Sequence, residues 1–328
     1  MRSISYSEAL REALREELRR DPSVFLMGED IALYGGAFGV TRGLLDEFGA
    51  GRIVNTPISE PGFMGAAIGA AITGCRPVVE IMFMDFCTLT MDQLVNHAAK
   101  MRYVFGEQVK CPLVVRMAGG AGKGYGPTHS QSLEAWFMHA PGLKVVAPAT
   151  PADAKGMLKT AIRDDNPVIF VEHKLLYGRK GPVPERGGVA IPFGKARLAC
   201  RGADVTIVAW SLMALEAEAA AQDLAARGVS AEVLDLRSLN PLDVESVVES
   251  VKKTHRLLIV EEGTRTCGIA AEIGFQVFEQ IYDYLDSPIT RLTAPDIPIS
   301  ASSVLEKAAI PDRARIVDAA VKLVKPGA

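Results

Sequence analysis

Short apolar runs alternate with segments of helical periodicity along most of the chain, a rhythm typical of α/β folds with mainly parallel sheets. In the first half, the runs SVFLMG, RPVVEIMF, PLVVRMA, LKVVAP and PVIFVE fit buried strands. The rhythm restarts later with DVTIVAW, SAEVLDL and RLLIVEE, which are separated by helical segments. The pattern therefore predicts two parallel-sheet α/β domains.

The boundary between the two domains is predicted from a change in composition. The segment YGRKGPVPERGGVAIPFG is dense in glycine, proline and charge, which is typical of a linker. We therefore predict a first domain over residues 1–180, a linker over 181–200 and a second domain over 201–328. A chain of 328 residues is long enough for two separate cores.

Several helix starts can be predicted from capping residues. Ser5 and Glu8 form a plausible capping box for an amphipathic N-terminal helix. Thr150 is followed by Pro151, an order that favours a helix beginning at the proline. In the second domain, the letters NPLD predict a helix capped by Asn240 with the proline at its first position.

Composition narrows the class of protein. The formal net charge of −3 argues against nucleic acid or an anionic membrane surface as the main partner. The N-terminus lacks the apolar core of a signal peptide, and the uncharged run from Gly62 to Cys75 is shorter than the roughly 20 residues of a membrane span. The 5 cysteines lack CxxC spacing, which fits a reducing compartment. We predict a cytoplasmic protein.

A glycine-rich stretch, AGGAGKGYGPTHSQS, follows the strand PLVVRMA. It has neither the spacing of a Walker loop nor that of a dinucleotide-binding loop. Its polar candidate is His129, whose tautomer Ser130 or Gln131 could fix. A single histidine in a loop has a structural role at least as often as a functional one.

A second candidate, Glu60, opens the uncharged segment Pro61–Cys75. Gly65 and Gly69 lie four residues apart in this segment, a spacing that lets another backbone approach closely, as at a subunit interface. A carboxylate held there would be desolvated and could share a proton with a buried nitrogen base. The simpler alternative is an acid in a first helical turn that only interacts with the helix dipole.

Three long runs carry a resemblance to a known family: GEDIALYGGAFGVTRGLLDEFGAGRIVNTPISE, EIMFMDFCTLTMDQLVNHAAK and GPTHSQSLEAWFMHAPGLKVVAPATPADAKGMLKT. They resemble the β subunit of thiamine-diphosphate-dependent 2-oxo acid dehydrogenases, the transketolase-like E1 components of the pyruvate, acetoin and branched-chain complexes. The similarity covers essentially the whole chain. It implies that the first domain binds the cofactor's pyrimidine ring, and that the second, like a transketolase C-terminal domain, pairs subunits and docks partners.

The resemblance also implies roles for individual residues. Glu60 matches the glutamate that hydrogen-bonds the aminopyrimidine ring and so promotes loss of the thiazolium C2 proton. Met82 and Phe86 match residues that pack on the pyrimidine. His129 matches the active-site histidine used when the acyl unit passes to lipoyl-lysine.

Two further sets of oxygen-bearing residues match family features. Glu29 and Asp92 correspond to an acidic, water-filled path between paired active sites. A structural potassium site of some relatives corresponds to Leu113, Ala161, Ile162, Asp164 and Asn166.

The family holds the cofactor's diphosphate through Mg²⁺ with a GDG motif, and this chain has no GDG. The resemblance therefore implies half an active site, completed by an α subunit in an α2β2 heterotetramer that serves an E2 lipoyl acyltransferase. Bulky Met82, Phe83 and Phe86 favour pyruvate or acetoin as substrate. The alternatives are a branched-chain E1 β subunit, half of a split transketolase, or a non-catalytic scaffold, which the presence of Glu60 and His129 disfavours.

Overall fold

The computed structural model describes residues 1–184 and 190–325. The chain divides into two compact units, Met1–Gly119 with Trp136–Phe193 and Gly120–Ala135 with Gly194–Ala328. Each unit contains a mainly parallel sheet with helices, which confirms the predicted α/β class.

Parallel strands form the centre of the first unit, where β6, β7, β5, β4, β2 and β3 lie side by side in that order. Strands β5 and β7 are buried along their whole length, which is why their sequences are mainly apolar, each with one charged residue at its centre or end. The pair β1 and β8 is antiparallel. The strands are β1 (Arg2–Ser5), β2 (Val24–Gly28), β3 (Ile53–Asn55), β4 (Arg76–Ile81), β5 (Val114–Gly119), β6 (Lys144–Val146), β7 (Val168–His173) and β8 (Lys180–Val183).

Two helices of this part of the chain begin where capping residues predict them. Ser5 accepts a hydrogen bond from the backbone N–H of Glu8, whose carboxylate accepts one from the N–H of Ser5, so the predicted capping box is confirmed. Thr150 caps the helix that starts at Pro151, also as predicted. The helices are α1 (Tyr6–Arg20), α2 (Leu44–Phe48), α3 (Glu60–Ile72), α4 (Ala99–Val104), α5 (Glu134–Met138) and α6 (Pro151–Arg163), with a 3₁₀ helix over Met84–Thr90 and a π-helix over Asp92–Ala98.

In the second unit the sheet order is β14, β13, β10, β11 and β9, and only β9 in that sheet runs antiparallel to its neighbour. The second unit contains the strands β9 (Arg197–Cys200), β10 (Val205–Ala209), β11 (Ala231–Asp235), β12 (Ser238–Asn240), β13 (Leu257–Thr264) and β14 (Thr290–Ala294), of which β12 is not part of this sheet. Its helices are α7 (Ser211–Ala226), α8 (Val244–Thr254), α9 (Ile269–Ile281), α10 (Ser303–Ala309) and α11 (Arg313–Val324), with a 3₁₀ turn at Tyr282–Tyr284. Within residues 1–184 and 190–325, no helix has the length and apolar character needed to cross a membrane.

The predicted start of α8 was wrong. Asn240 is the last residue of β12, and its peptide bond to Pro241 is cis. Helix α8 starts at Val244 instead, because the Asp243 carboxylate accepts a hydrogen bond from the backbone N–H of Ser246, 3.3 Å away. The Asp243 side chain thus caps a helix that starts three positions later than the one predicted from Asn240.

The predicted domain limits also differ from the two units. The glycine-rich stretch Gly120–Ala135 falls in the second unit and not in a first domain over 1–180. The reason is a set of hydrogen bonds from its backbone to Glu262 and Glu306. Of the predicted linker over 181–200, residues 185–189 lie outside the described residues, while β8 and β9 occupy its two ends.

Candidate functional site

One edge of the parallel sheet collects most of the candidate residues of the first unit. Strands β3, β2 and β4 are neighbours, and Gly28 at the end of β2 is in register with Asn55 at the end of β3. Glu29 follows β2, the helix that opens with Glu60 follows β3, and Met82 follows β4. Ligands of parallel α/β sheets bind at the carboxyl ends of the strands. The predicted residues therefore meet where a ligand is expected.

Glu60 is the first residue of α3 and is only 6% exposed. Among residues 1–184 and 190–325, no donor forms a hydrogen bond to its carboxylate. The helix start places the partial positive charge of the helix dipole beside the carboxylate. The Glu60 carboxylate thus remains available for a ligand that brings its own donor to this edge.

Glu29 shares this edge, and its environment differs from that of an ordinary surface acid. It is 7% exposed, and its Oε1 atom is buried without a hydrogen-bond partner, as is Oγ1 of Thr56 just after β3. Burial, with the negative charge of Glu60, raises the pKa of Glu29 to about 7. Glu29 can therefore hold or release a proton near neutral pH. Asp92 is exposed and accepts a hydrogen bond from Asn96, so the acidic path that joins Glu29 to Asp92 stays a prediction.

A pH-dependent stability difference should follow from Glu29. An unfolded glutamate ionises near pH 4.5 and Glu29 ionises near pH 7 in the fold, so the folded chain binds more protons between those values. Its stability should fall as the pH rises through that window. Glu29→Gln should therefore stabilise the chain more at about pH 8 than at about pH 5, as measured by urea unfolding. An equal effect at both pH values would contradict the buried-acid interpretation.

Aromatic side chains line the end of β4. The Phe83 ring contacts those of Phe38 and Phe86 edge to face, at centroid distances of 5.7 and 6.0 Å. The Lys174 ammonium lies 5.4 Å from the centroid of Phe83. Phe83 is thus held on several sides, while Met82 and Phe86 are half-buried. Both can present apolar surface to a ring bound at this edge.

A buried ionic network below this cluster was missed in the sequence. Arg116 of β5 donates two parallel hydrogen bonds to Glu172 of β7, at 2.7 and 2.8 Å, and one to Glu80 of β4, at 2.6 Å. The Tyr177 hydroxyl donates to Glu172, and its ring stacks on Phe38 at 4.7 Å. Burial and the negative charge of Glu172 raise the pKa of Tyr177, which keeps this hydroxyl protonated as a donor. The signal was a charged residue in each of three apolar strands.

His129 belongs to the second unit and is therefore not grouped with Glu60. Oγ1 of Thr128 lies 3.0 Å from its Nδ1 atom, and the ring is half-buried. The Oγ atom of Ser130 is buried without a hydrogen-bond partner, so the predicted role of Ser130 in fixing the tautomer is wrong.

The five residues predicted to hold potassium lie together on the amino-terminal side of β5 and β7. The backbone N–H of Asp164 donates to the carbonyl of Ala161 at 3.2 Å, and that of Asn166 donates to the Asp164 carboxylate at 2.9 Å. The Leu113 carbonyl accepts from the N–H of Val168. The five residues thus lie close together, but several of their oxygen atoms already accept hydrogen bonds from backbone N–H groups nearby.

Cationic side chains already contact several of these oxygen atoms. Arg76 donates to the carbonyls of Ile162 and Asp164, at 3.1 and 3.0 Å. Lys144 forms an ion pair with the Asp164 carboxylate. A potassium ion would have to displace these positive charges, so the oxygen set does not fit the ion well. Nor do the described residues contain a group of three or more histidine, cysteine or acidic side chains arranged for a metal ion.

Comparison with known proteins gives the family of the whole chain. A profile of the transketolase pyrimidine-binding domain matches residues 2–180, and one of the transketolase C-terminal domain matches residues 194–316. The chain is 48% identical to the pyruvate dehydrogenase E1 component subunit beta of Rhizobium meliloti, over 97% of this chain and 69% of that protein. It belongs to the β subunits of the thiamine-diphosphate-dependent E1 family.

Other relatives of this E1 β chain indicate the same family. It is 47% identical to the pyruvate dehydrogenase E1 component subunit beta of Rickettsia felis, over 98% of each chain. It is equally similar, 47% over 99% of each chain, to the acetoin:2,6-dichlorophenolindophenol oxidoreductase subunit beta of Cupriavidus necator. A solved split-gene transketolase, described as an inactive β4 tetramer, shares the fold with a TM-score of 0.79 and 24% identity over 98% of both chains.

The edge of the sheet in this E1 β chain fits the pyrimidine half of thiamine diphosphate. An aminopyrimidine ring carries both donors and acceptors, and this edge offers the Glu60 carboxylate together with the unpartnered atoms of Glu29 and Thr56. Met82 and Phe86 supply apolar surface at the same edge. The fit rests on unsatisfied polar groups beside apolar side chains, the usual composition of a small-molecule site.

Proposed function

We propose that this protein is the β half of an E1 enzyme which, with an α subunit, decarboxylates pyruvate or cleaves acetoin and passes the acyl unit to lipoyl-lysine of an E2 acyltransferase. The observation that carries the proposal is the buried Glu60 carboxylate, without a donor among the described residues, at the carboxyl edge of a transketolase-type sheet. The cytoplasmic location remains a prediction.

Each residue of this edge has a proposed task. Thiamine diphosphate, when bound, supplies a carbon nucleophile and an electron sink. Glu60 would share a proton with the ring nitrogen of the aminopyrimidine, which a buried carboxylate does better than an exposed one. Glu29, ionising near pH 7, would hold a second proton beside it. Met82 and Phe86 would fix the plane of the ring.

An α subunit would supply the other half of the site. The sequence has no GDG motif for the Mg²⁺-bound diphosphate. Helix α3 also has an open face of small residues, where a Cβ placed on Gly65 or on Gly69 would meet nothing within 4 Å. Such a face allows a partner backbone to approach closely. Both features support an α2β2 heterotetramer with the cofactor at the α/β interface. The potassium set takes no part in the proposed chemistry.

His129 is proposed to act when the acyl unit passes to lipoyl-lysine. It lies half-buried on a glycine-rich loop, with Thr128 next to Nδ1. Its other ring nitrogen would donate to or accept from the reacting sulfur. This role predicts that His129→Ala lowers the rate of transfer to lipoyl-lysine more than the rate of substrate oxidation by an artificial acceptor.

A preference for small substrates should follow from the packing of Phe83. Branched-chain acids are larger than pyruvate, and overfilling a packed pocket costs roughly 1–3 kcal/mol. That cost is equivalent to a preference of about 5- to 200-fold in kcat/KM. The tetramer reconstituted with its α subunit should therefore use pyruvate or acetoin better than 3-methyl-2-oxobutanoate, and Phe83→Leu should narrow the gap.

The same substrate panel tests the proposed reaction class. A kcat/KM for the branched acid equal to those for both small substrates would refute the size preference. Activity with ketose phosphates alone would instead identify a split transketolase and overturn the proposed function.

A further inference from the structure

The glycine-rich loop of the second unit binds a carboxylate of the same unit. The backbone N–H of Gly122 donates to Oε1 of Glu306 at 2.8 Å, and that of Gly124 donates to Oε2 at 3.0 Å and to Oε1 at 3.3 Å. Glu306 lies on α10 and is only 3% exposed. Backbone N–H groups that converge on one anion form a strong anion-binding concavity. The loop that lacks a phosphate-binding motif thus binds a glutamate.

The backbone angles of four alternate glycines allow the loop to bind Glu306 in this way. Gly120, Gly122, Gly124 and Gly126 have φ values of +84°, +95°, +69° and +81°, a region that other residues rarely adopt. A Cβ on Gly124 would also lie 3.3 Å from the carbonyl oxygen of Ala301. Alternate glycines therefore let alternate N–H groups turn toward Glu306.

Two further contacts fix the same loop. The N–H of Ala121 donates to the Glu262 carboxylate, and its side chain packs with Ile299 and Ala309. Ala309 is on α10, the helix that carries Glu306. Apolar packing and the hydrogen bonds to Glu306 thus anchor the loop to one short helix.

His129 lies at the end of this anchored loop. Its backbone N–H donates to the carbonyl of Gly126 at 3.3 Å, so its position depends directly on the glycine turn. We propose that Glu306 is a positioning residue for His129: by binding the N–H groups of Gly122 and Gly124, it holds the loop in the conformation needed for acyl transfer. This inference rests on the proposed function of His129.

Glu306→Gln removes the negative charge that the loop binds, with little change in the shape of the side chain. The amide retains one oxygen acceptor, and its NH₂ group would face a backbone N–H, so at least one hydrogen bond to Glu306 is lost. Loss of a hydrogen bond to a charged group changes the corresponding equilibrium by roughly 10- to 100-fold. The loop should open more often by that factor, while Glu60 and its sheet edge are unaffected.

The test uses the α2β2 tetramer reconstituted with its α subunit. Hydrogen exchange of the amides of Gly122 and Gly124 should accelerate by roughly 10- to 100-fold in Glu306→Gln. Transfer to a lipoyl domain should fall severalfold, while oxidation of the same substrate by dichlorophenolindophenol should stay near the wild-type rate. Glu232→Gln is the control, because Glu232 is a buried acid of the same unit that bonds Lys253 and Ser250 instead.

The outcomes separate the inference from the function on which it rests. If His129→Ala abolishes transfer and Glu306→Gln does not reduce it, the positioning role is wrong. If His129→Ala leaves transfer unchanged, the proposed function of His129 fails. Should Glu306→Gln not fold, Gly124→Ala perturbs the same contact from the loop side. This variant should likewise reduce transfer to the lipoyl domain while dye reduction stays near the wild-type rate. Unchanged transfer in Gly124→Ala would overturn the inference.

Discussion

Replacing Glu60 by glutamine should slow exchange of the C2 proton of bound thiamine diphosphate by roughly 100- to 10,000-fold, the usual cost of losing one positioned acid–base group. The amide has nearly the shape of the carboxylate, so the tetramer should assemble normally. Only the proton that Glu60 shares with the aminopyrimidine is lost. The measurement is NMR-detected hydrogen–deuterium exchange at C2 in the assembled α2β2 enzyme.

A control separates this role from that of an acid at a helix start. Glu272 is an exposed acid in the first turn of α9, so Glu272→Gln removes a dipole interaction of the kind that Glu60 also makes. C2 exchange in that variant should match the wild type. Near-normal exchange in an intact Glu60→Gln tetramer would reduce Glu60 to a residue that only caps its helix.

Replacing Arg116 by methionine should destabilise the chain by about 3–5 kcal/mol, because Glu172 and Glu80 would be left as buried charges without a cation. The Arg116 and Glu172 side chains are 2% and 1% exposed, so water cannot compensate for the loss. Loss of the pair also removes the partner that orients Glu172 toward the Tyr177 hydroxyl. Urea unfolding at neutral pH gives the free energy of unfolding.

Arg19→Met provides the matched control. Arg19 is 64% exposed and pairs with Glu47 on the surface, where an ion pair contributes roughly 0–1 kcal/mol. A similar loss of unfolding free energy in both variants would show that the buried network contributes no more to stability than a surface ion pair. Partial recovery in the double variant Arg116→Met with Glu172→Gln would confirm that the cost comes from the unpaired charge.

Local features were predictable from the sequence wherever the partner lies a few residues away. The capping box of Ser5 and Glu8 and the helix start at Thr150 and Pro151 both depend on contacts within one helical turn. The buried parallel strands were predictable because burial on both faces leaves a short, mainly apolar run. The position of Glu60 at a helix start followed from the same local pattern.

Features that depend on distant partners were not predictable in this way. Arg116 and Glu172 are 56 residues apart in the chain, and only the sheet order brings them together. The anchor of the glycine-rich loop is more distant still, because Gly122 and Glu306 are 184 positions apart in the chain. The cap predicted at Asn240 failed because this residue belongs to β12, which pairs within a sheet, and the helix starts after Asp243 instead.

Calorimetric titration of the isolated chain with thiamine diphosphate and Mg²⁺ tests whether this protein holds only half of the cofactor site. Binding should be negligible, because the chain offers the pyrimidine edge at Glu60 and no GDG motif for the diphosphate. Tight binding and decarboxylation should appear together when the α subunit is added. Tight binding of thiamine diphosphate by the isolated β chain would contradict the half-site account.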